Sequence, residues 1–300
     1  MSPDRARAWL AGLGLPGEEP AVPATSTGRF ADGGHYKWEV AGALDAPSTA
    51  RLHDLLAVGG VRLHQVTNTV GTMRYLDAEV TDLVAVARER GIQLRMAVGP
   101  RGLHDIGGQK LASSAVAAAS AYRLRGADHL AQGLEDVAHA VDLGVRGFLV
   151  FDEGLLLVLH RLRAAGELPA DLRLKASSNM GAANPAHALL LAEAGADSVN
   201  LQRDLDVRMV AAVRAATPVP LDLHTDNPRQ TGGFLRGYDV PELVRVGAPV
   251  YLKSGNAAQD FAETAPTERE LAAVARQILL DDQVLRRLLP EAVASDQPEF

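Results

Sequence analysis

Leu172-Arg173-Leu174-Lys175, Leu221-Asp222-Leu223-His224 and Val250-Tyr251-Leu252-Lys253 set polar or charged side chains at alternate positions of short apolar runs. Successive side chains of a β-strand point to opposite faces, so the leucines and valine share one face while Lys175, Asp222, His224 and Lys253 share the other. Each run is followed by a helical pattern. Strands that alternate with helices build a parallel sheet covered by those helices, so the polar face must line an interior.

Working outward, eight such units are predicted. The strands span 36–40, 61–67, 92–98, 147–151, 172–176, 198–201, 219–224 and 250–253. Helices follow at 47–58, 77–90, 126–143, 154–166, 185–195, 205–216, 239–247 and 267–289. Gly91, Gly144, Gly166, Gly195 and Gly247 fall where helices should stop. Asn184 before Pro185, and Asp204 before Leu205, have the chemistry of N-caps. The chain has 300 residues, which suits one α/β barrel of about 250 residues with extensions. No GxGxxG follows the first strand, which disfavours an open dinucleotide-binding sheet. The fold class read from these features is a single (β/α)8 TIM barrel over 35–290, with an N-terminal helical extension over 1–34, a C-terminal helix, and an acidic, loosely held tail over 291–300. Trp38 and the stripe Leu155, Leu156, Leu159 and Leu162 read as packing between barrel and helices.

Composition narrows the function. A formal charge of -7 gives no electrostatic case for nucleic acid or an anionic membrane. No apolar run is long enough for a membrane span, and the N-terminus lacks a signal-peptide layout. The chain has no cysteine, which excludes disulfides, a thiolate-held iron–sulfur cluster and a cysteine nucleophile. The expectation is a cytoplasmic protein with a small-molecule substrate, its self-association into a homo-oligomer left open.

Barrel active sites sit at the C-terminal ends of the strands. Reading those ends gives Glu39, His64, Asn68, Arg95, Asp152, Glu153, Lys175, Ser177, Asn200, Gln202, Asp222, His224, Asp226 and Lys253. Asp222 and His224, two apart on one strand, suit a divalent metal held with Glu153 or Glu39, or an acid/base pair. The alternative is that Asp222 pairs with Lys175 and His224 caps a loop. Lys175 and Lys253 can hold a carboxylate or enolate, or one of them can form a Schiff base with a carbonyl compound. His64 and Glu39 are reserve acid/base groups, and His64, Arg95, Asn200 and Gln202 are candidates for substrate binding. Gly233 and Asn256 lie in loops where many barrels hold phosphate. Arg101, Arg229 and Arg236 are candidate anion clamps, and His35 and His104 are weaker candidates.

The stretch Leu174-Lys-Ala-Ser-Ser-Asn-Met-Gly-Ala-Ala-Asn-Pro-Ala-His-Ala, followed by Ala194-Gly-Ala-Asp-Ser-Val-Asn-Leu-Gln-Arg-Asp-Leu, resembles the collagenase-like peptidases of family U32. Upstream, Val141-Asp-Leu-Gly-Val-Arg-Gly-Phe-Leu-Val-Phe-Asp-Glu-Gly-Leu resembles another unit of that family, and the likeness runs roughly over 77–225. The resemblance implies a barrel and a nominal hydrolase. That family carries a cysteine-bearing motif after the seventh strand, and several members are thought to hold an iron–sulfur cluster or act on RNA bases. Here Asp222-Leu-His-Thr-Asp-Asn-Pro-Arg-Gln-Thr-Gly-Gly-Phe has no cysteine. The reading that follows is an enzyme of lyase, isomerase or hydrolase type, working by metal-assisted or acid/base chemistry on a small polar or anionic metabolite. A Schiff-base aldolase and a non-catalytic scaffold barrel are the alternatives.

Overall fold

The computed structural model describes residues 3–101, 122–228, 232–259 and 264–297. Its centre is a closed parallel barrel of eight strands. These are β1 (Tyr36–Gly42), β2 (Gln65–Asn68), β3 (Gln93–Ala97), β4 (Gly147–Val150), β5 (Arg173–Ala176), β6 (Ser198–Asn200), β7 (Leu221–His224) and β10 (Val250–Lys253). Neighbours follow chain order around the ring, and β10 closes it by pairing Glu39 with Lys253 across β1. Helices α2 (Ala46–Val58), α3 (Asp77–Glu89), α4 (Gly126–Asp142), α5 (Glu153–Ala165), α6 (Pro185–Glu193), α7 (Val207–Ala216), α8 (Val240–Gly247) and α9 (Glu268–Leu288) follow the strands, and α1 (Asp4–Gly12) precedes them. The predicted barrel is therefore the observed one.

The alternation explains the layering. Trp38 and Val40, Val66, Leu94 and Met96, Phe148 and Val150, Leu174, Val199, Leu221 and Leu223, and Leu252 all belong to one apolar core between barrel and helices. Among the intervening residues, which turn inward, Glu39, Thr67, Lys175, Asn200, Asp222 and Lys253 are polar and buried. Burying that much apolar area outside the barrel offsets the cost of desolvating a polar interior. Trp38 and Leu155, Leu156 and Leu159 pack as expected.

Side-chain caps fix the helix starts. Asp45 and Ser48 form a capping box on α2, Asp152 accepts from Leu155 N at 2.8 Å on α5, and Asn184 accepts from His187 N at 3.0 Å on α6. Such caps contribute about 1 kcal/mol each. The cap of α7 is Asp206, accepting from Met209 N at 2.8 Å, rather than Asp204, so that helix starts two residues later than predicted. Gly91, Gly144, Gly166 and Gly195 adopt positive φ, whereas Gly247 remains the last residue of α8.

Two features differ from expectation. The segment after β7 forms a small antiparallel hairpin of β8 (Asp226–Asn227) and β9 (Phe234–Leu235). The C-terminal tail, expected to be loose, closes the N-terminal end of the barrel as far as residue 297. Ser295 is buried, its N–H donates to Tyr36 O at 2.9 Å, and Gln297 O accepts from Lys37 Nζ at 2.8 Å. The extension adds Phe30 to the same plug, edge-on to Tyr251 with its ring beneath Lys37 Nζ. No helix among the described residues is long and apolar enough to cross a membrane.

Candidate active site

Four charged side chains meet inside the barrel. Glu39 on β1 reaches across to Lys175 on β5, Oε2 to Nζ 2.5 Å, and its Oε1 takes Lys253 Nζ at 3.1 Å and Thr67 Oγ1 at 2.7 Å. Lys175 also forms an ion pair with Asp222 of β7. Glu39, Lys175 and Asp222 are fully buried. Burial pushes Glu39 up, but Lys175 and Lys253 outweigh it and hold its carboxyl well below the ordinary range. Asp222 is raised to about 6 by burial, with the Glu39 charge adding to it, against the pull of Lys175. The expected alternative pairing of Asp222 with Lys175 is thus present.

Above this layer, at the C-terminal ends of the strands, lies a cavity of about 260 Å³. His224 and Lys253, neighbours in register on β7 and β10, form part of its wall. Lys175, Asp222 and Glu39 lie below it and do not line it. His224 is kept neutral: burial, then the nearby Lys253 and Arg203 charges, hold its pKa well below the usual imidazole value. Burial brings the Lys253 ammonium down, with the Lys175 charge assisting and Glu39 opposing.

Asn200 and Asn256 also face the cavity. Gly255, at φ +85, makes the turn that presents Asn256, and a Cβ there would meet Val274 of α9 at 2.6 Å. Asp226 secures that turn by accepting from Asn256 N at 3.0 Å and Ala257 N at 2.9 Å. Asp281 of α9 braces the same region through Ser254 Oγ and Thr225 Oγ1. Three buried atoms among the cavity residues have no hydrogen-bond partner among the described residues: His224 Nε2, Asn200 Oδ1 and Asn256 Oδ1. Buried polar atoms are rarely left so, because each costs about 1–3 kcal/mol.

The cavity wall carries three cations, Arg101, Arg203 and Lys253, and no described carboxylate. Arg101 is spoken for: its guanidinium donates to Thr69 O at 2.7 Å and Val70 O at 2.6 Å and lies over Phe151. Arg203, half-buried just beyond β6, has neither hydrogen bond nor ion pair among the described residues. Tyr122, stacked on Phe151, completes an aromatic side, and Ser177, Ser178 and Asn179 line the edge after β5.

Several expected site residues lie elsewhere. Glu153 is held at the start of α5 by Arg123, Nη2 to Oε1 2.6 Å, and does not join Asp222 and His224. Among the described residues no group of three His, Asp or Glu side chains can hold a metal ion. His64 lies at the opposite end of the barrel, where its Nδ1 accepts from Trp38 N–H at 2.9 Å and its Nε2 meets Ser295 O at 2.8 Å. It is a structural histidine. Arg95 runs beneath the start of β4, against Gly147, and misses the mouth. Gln202 sits at the rim near Gly181. Gly233 is exposed and spends its N–H on Pro228 O at 3.0 Å, so it offers no anion cradle. Arg236 bridges His224 O and Leu205 O, and His35 accepts from Val293 N at the closed end. Arg229 and His104 fall outside the described residues. Arg203 is the site residue that sequence reading missed. Its signal was its position, three residues past Asn200 at a strand end.

No family model matches the chain, and no curated protein matches it. Among solved structures, a U32 peptidase is similar over 70% of this chain and 72% of its own at 21% identity, TM-score 0.39. The YdjI aldolase from Escherichia coli K12 is similar over 87% and 93% at 15% identity, TM-score 0.49. A thiamine phosphate pyrophosphorylase from Pyrococcus furiosus is similar over 84% and 98% at 13% identity, TM-score 0.47. None of the three assigns a reaction to this chain.

Proposed function

We propose that this barrel is an enzyme of lyase or isomerase type, acting by acid/base chemistry on a small anionic carbonyl metabolite. The observation that carries this reading is the convergence of three unpartnered buried polar atoms and an unpaired arginine on one cavity. A ligand that accepts from Arg203 and completes the hydrogen bonds of Asn200, Asn256 and His224 removes the cost of leaving those buried polar atoms unpaired. Arg203 binds the substrate's carboxylate or phosphate, for which its planar fork is suited. Neutral His224 takes the proton next to the carbonyl through Nε2, in the tautomer whose ring proton sits on Nδ1. The Asn256 amide, whose Nδ2 lies 3.5 Å from Nδ1, is then turned to present its oxygen there. Lys253, beside it, polarises the carbonyl oxygen and stabilises the enolate.

Membership of the U32 peptidases stays at the level of the motif resemblance, and nothing in the proposed chemistry depends on it.

Two results are expected. In a thermal-shift screen of small oxo acids and phosphorylated carbonyl compounds, a subset stabilises the wild-type protein. Arg203→Ala weakens their binding by roughly 10- to 100-fold, the loss of a hydrogen bond to a charged group. A screen in which no small anion raises the melting temperature sinks the reading. For a ligand so found, His224→Asn lowers the rate of α-proton exchange into deuterium oxide by about 10²- to 10⁴-fold, read by proton NMR. An unchanged exchange rate removes His224 from the chemistry.

A further inference from the structure

The chain contains four lysines, Lys37, Lys110, Lys175 and Lys253, and its other basic residues among the thirty Lys and Arg are arginines. Three of the four stand on barrel strands with buried side chains. Among the described residues the surface cations are arginines, and the three lysines are all buried. For Lys37 and Lys175 the structure offers a packing reason. Lys37 Nζ caps Gln297 O over the Phe30 ring at the closed end, and Lys175 Nζ sits between Glu39 and Asp222. Among the described residues Lys253 has one oxygen of an already shared carboxylate, and it stands on the cavity wall. To bind an anion or hold an enolate there, a guanidinium would serve at least as well. The property arginine lacks is the capacity to lose a proton and become a nucleophile.

We propose that Lys253 is a covalent catalyst that forms an iminium with the carbonyl carbon of a small oxo acid held in the cavity. This rests on the acid/base reading above and replaces polarisation by an ammonium with polarisation through a C=N bond. Lys253 first gives one proton to Nε2 of His224. The free amine attacks the carbonyl carbon, the C–N bond forms, and the C=O electron pair moves to oxygen, which picks up a proton from nitrogen. The proton on His224 then passes to the hydroxyl, which leaves as water as the C=N⁺ bond forms. Ammonium plus carbonyl thus become iminium plus water, with atoms and charge conserved. His224, neutral again, removes the adjacent C–H proton, and that electron pair flows into the C=N bond to give an enamine. Lys175 cannot take this part, because it is fully buried under the cavity floor between two carboxylates.

The test uses full-length wild-type protein incubated with pyruvate, glyoxylate or 2-oxobutyrate and sodium cyanoborohydride, followed by peptide mapping by mass spectrometry. The small number of lysines keeps the background low. The expected result is a reduced adduct on the peptide bearing Lys253, at least ten times more abundant than on the Lys110 peptide. Lys253→Arg is expected to lose that adduct while keeping the wild-type far-UV spectrum. An adduct on Lys175, one no richer at Lys253 than at Lys110, or none with any of the three acids overturns the proposal. If no adduct forms yet the same acids stabilise the wild type and not Arg203→Ala, the iminium fails and the acid/base reading stands. If neither adduct nor stabilisation appears, both fail.

Discussion

Lys175→Met is expected to lower the unfolding free energy by about 3–5 kcal/mol at pH 8, the usual cost of breaking a buried ion pair from one side. Lys175 is the hub of the interior network. Without it Glu39 keeps Lys253 and Thr67, but Asp222 loses its only ion pair among the described residues and is left beside the Glu39 carboxylate, whose charge already pushes it up. The stranded charge is the source of the loss, so Lys175→Met combined with Asp222→Leu should recover most of it. The deficit should also be smaller at pH 5 than at pH 8. Asp222 already titrates near pH 6 in the intact network, and without Lys175 it protonates more readily still. Urea denaturation of the single and double variants at both pH values measures all of this. A single-variant loss under about 1 kcal/mol, or a double variant no better than the single, contradicts the hub role.

Acid lability traced to His64 is the second large effect. Its pKa falls from 6.5 to about 3, chiefly through burial, with the Arg62 and Lys37 charges adding to it. A histidine depressed in the folded state gives stability that is fully present above pH 6.5. That stability is lost progressively as pH falls toward 3, because the unfolded chain then binds the proton the folded one refuses. The loss amounts to as much as about 5 kcal/mol at the acid end. Glu39, depressed, loses its contribution in the same direction below the ordinary carboxylate range. Asp222 and Asp226, both raised to about 6, act oppositely between about pH 6 and 4. His64→Leu should be less stable than wild type at pH 8, because it strands Trp38 N–H and Ser295 O, yet show a flatter profile between pH 6.5 and 4. Unfolding free energies measured across that window decide it; parallel profiles for the two proteins would falsify the assignment.

The site was legible in part. His224, Lys253 and Asn200 could be named because the end of a strand and the parity of a position are local facts, and together they place a residue at the mouth and on the inner face; Asn256 was named from its loop after the eighth strand. His64 defeated the same rule. It precedes β2, and only the packed tail carrying Ser295 shows that this position belongs to the closed end. Arg95 has the right parity, but a long side chain can travel, and it runs under β4. Glu153 begins a helix, where its partner Arg123 lies across a loop that no local pattern connects to it. The lysine usage was available in the composition from the start, yet it acquires meaning only once three of the four are seen on inner strands.

By itself the sequence determined the architecture. Periods of two and of about 3.6 residues, with caps and glycine stops between them, are set by backbone geometry a few residues at a time, so eight βα units could be counted from the chain alone. The tertiary structure decided which charges meet. Glu39 and Lys175 are 136 positions apart, brought to 2.5 Å because closing the ring sets opposite strands face to face across its interior. That closure also ranked the polar residues by depth: Lys175, Glu39 and Asp222 pair beneath the floor, Lys253 pairs with Glu39 from the cavity wall, and His224 and Arg203 face the cavity beside it. Depth and pairing depend on distances between segments, and those distances exist only in the closed barrel.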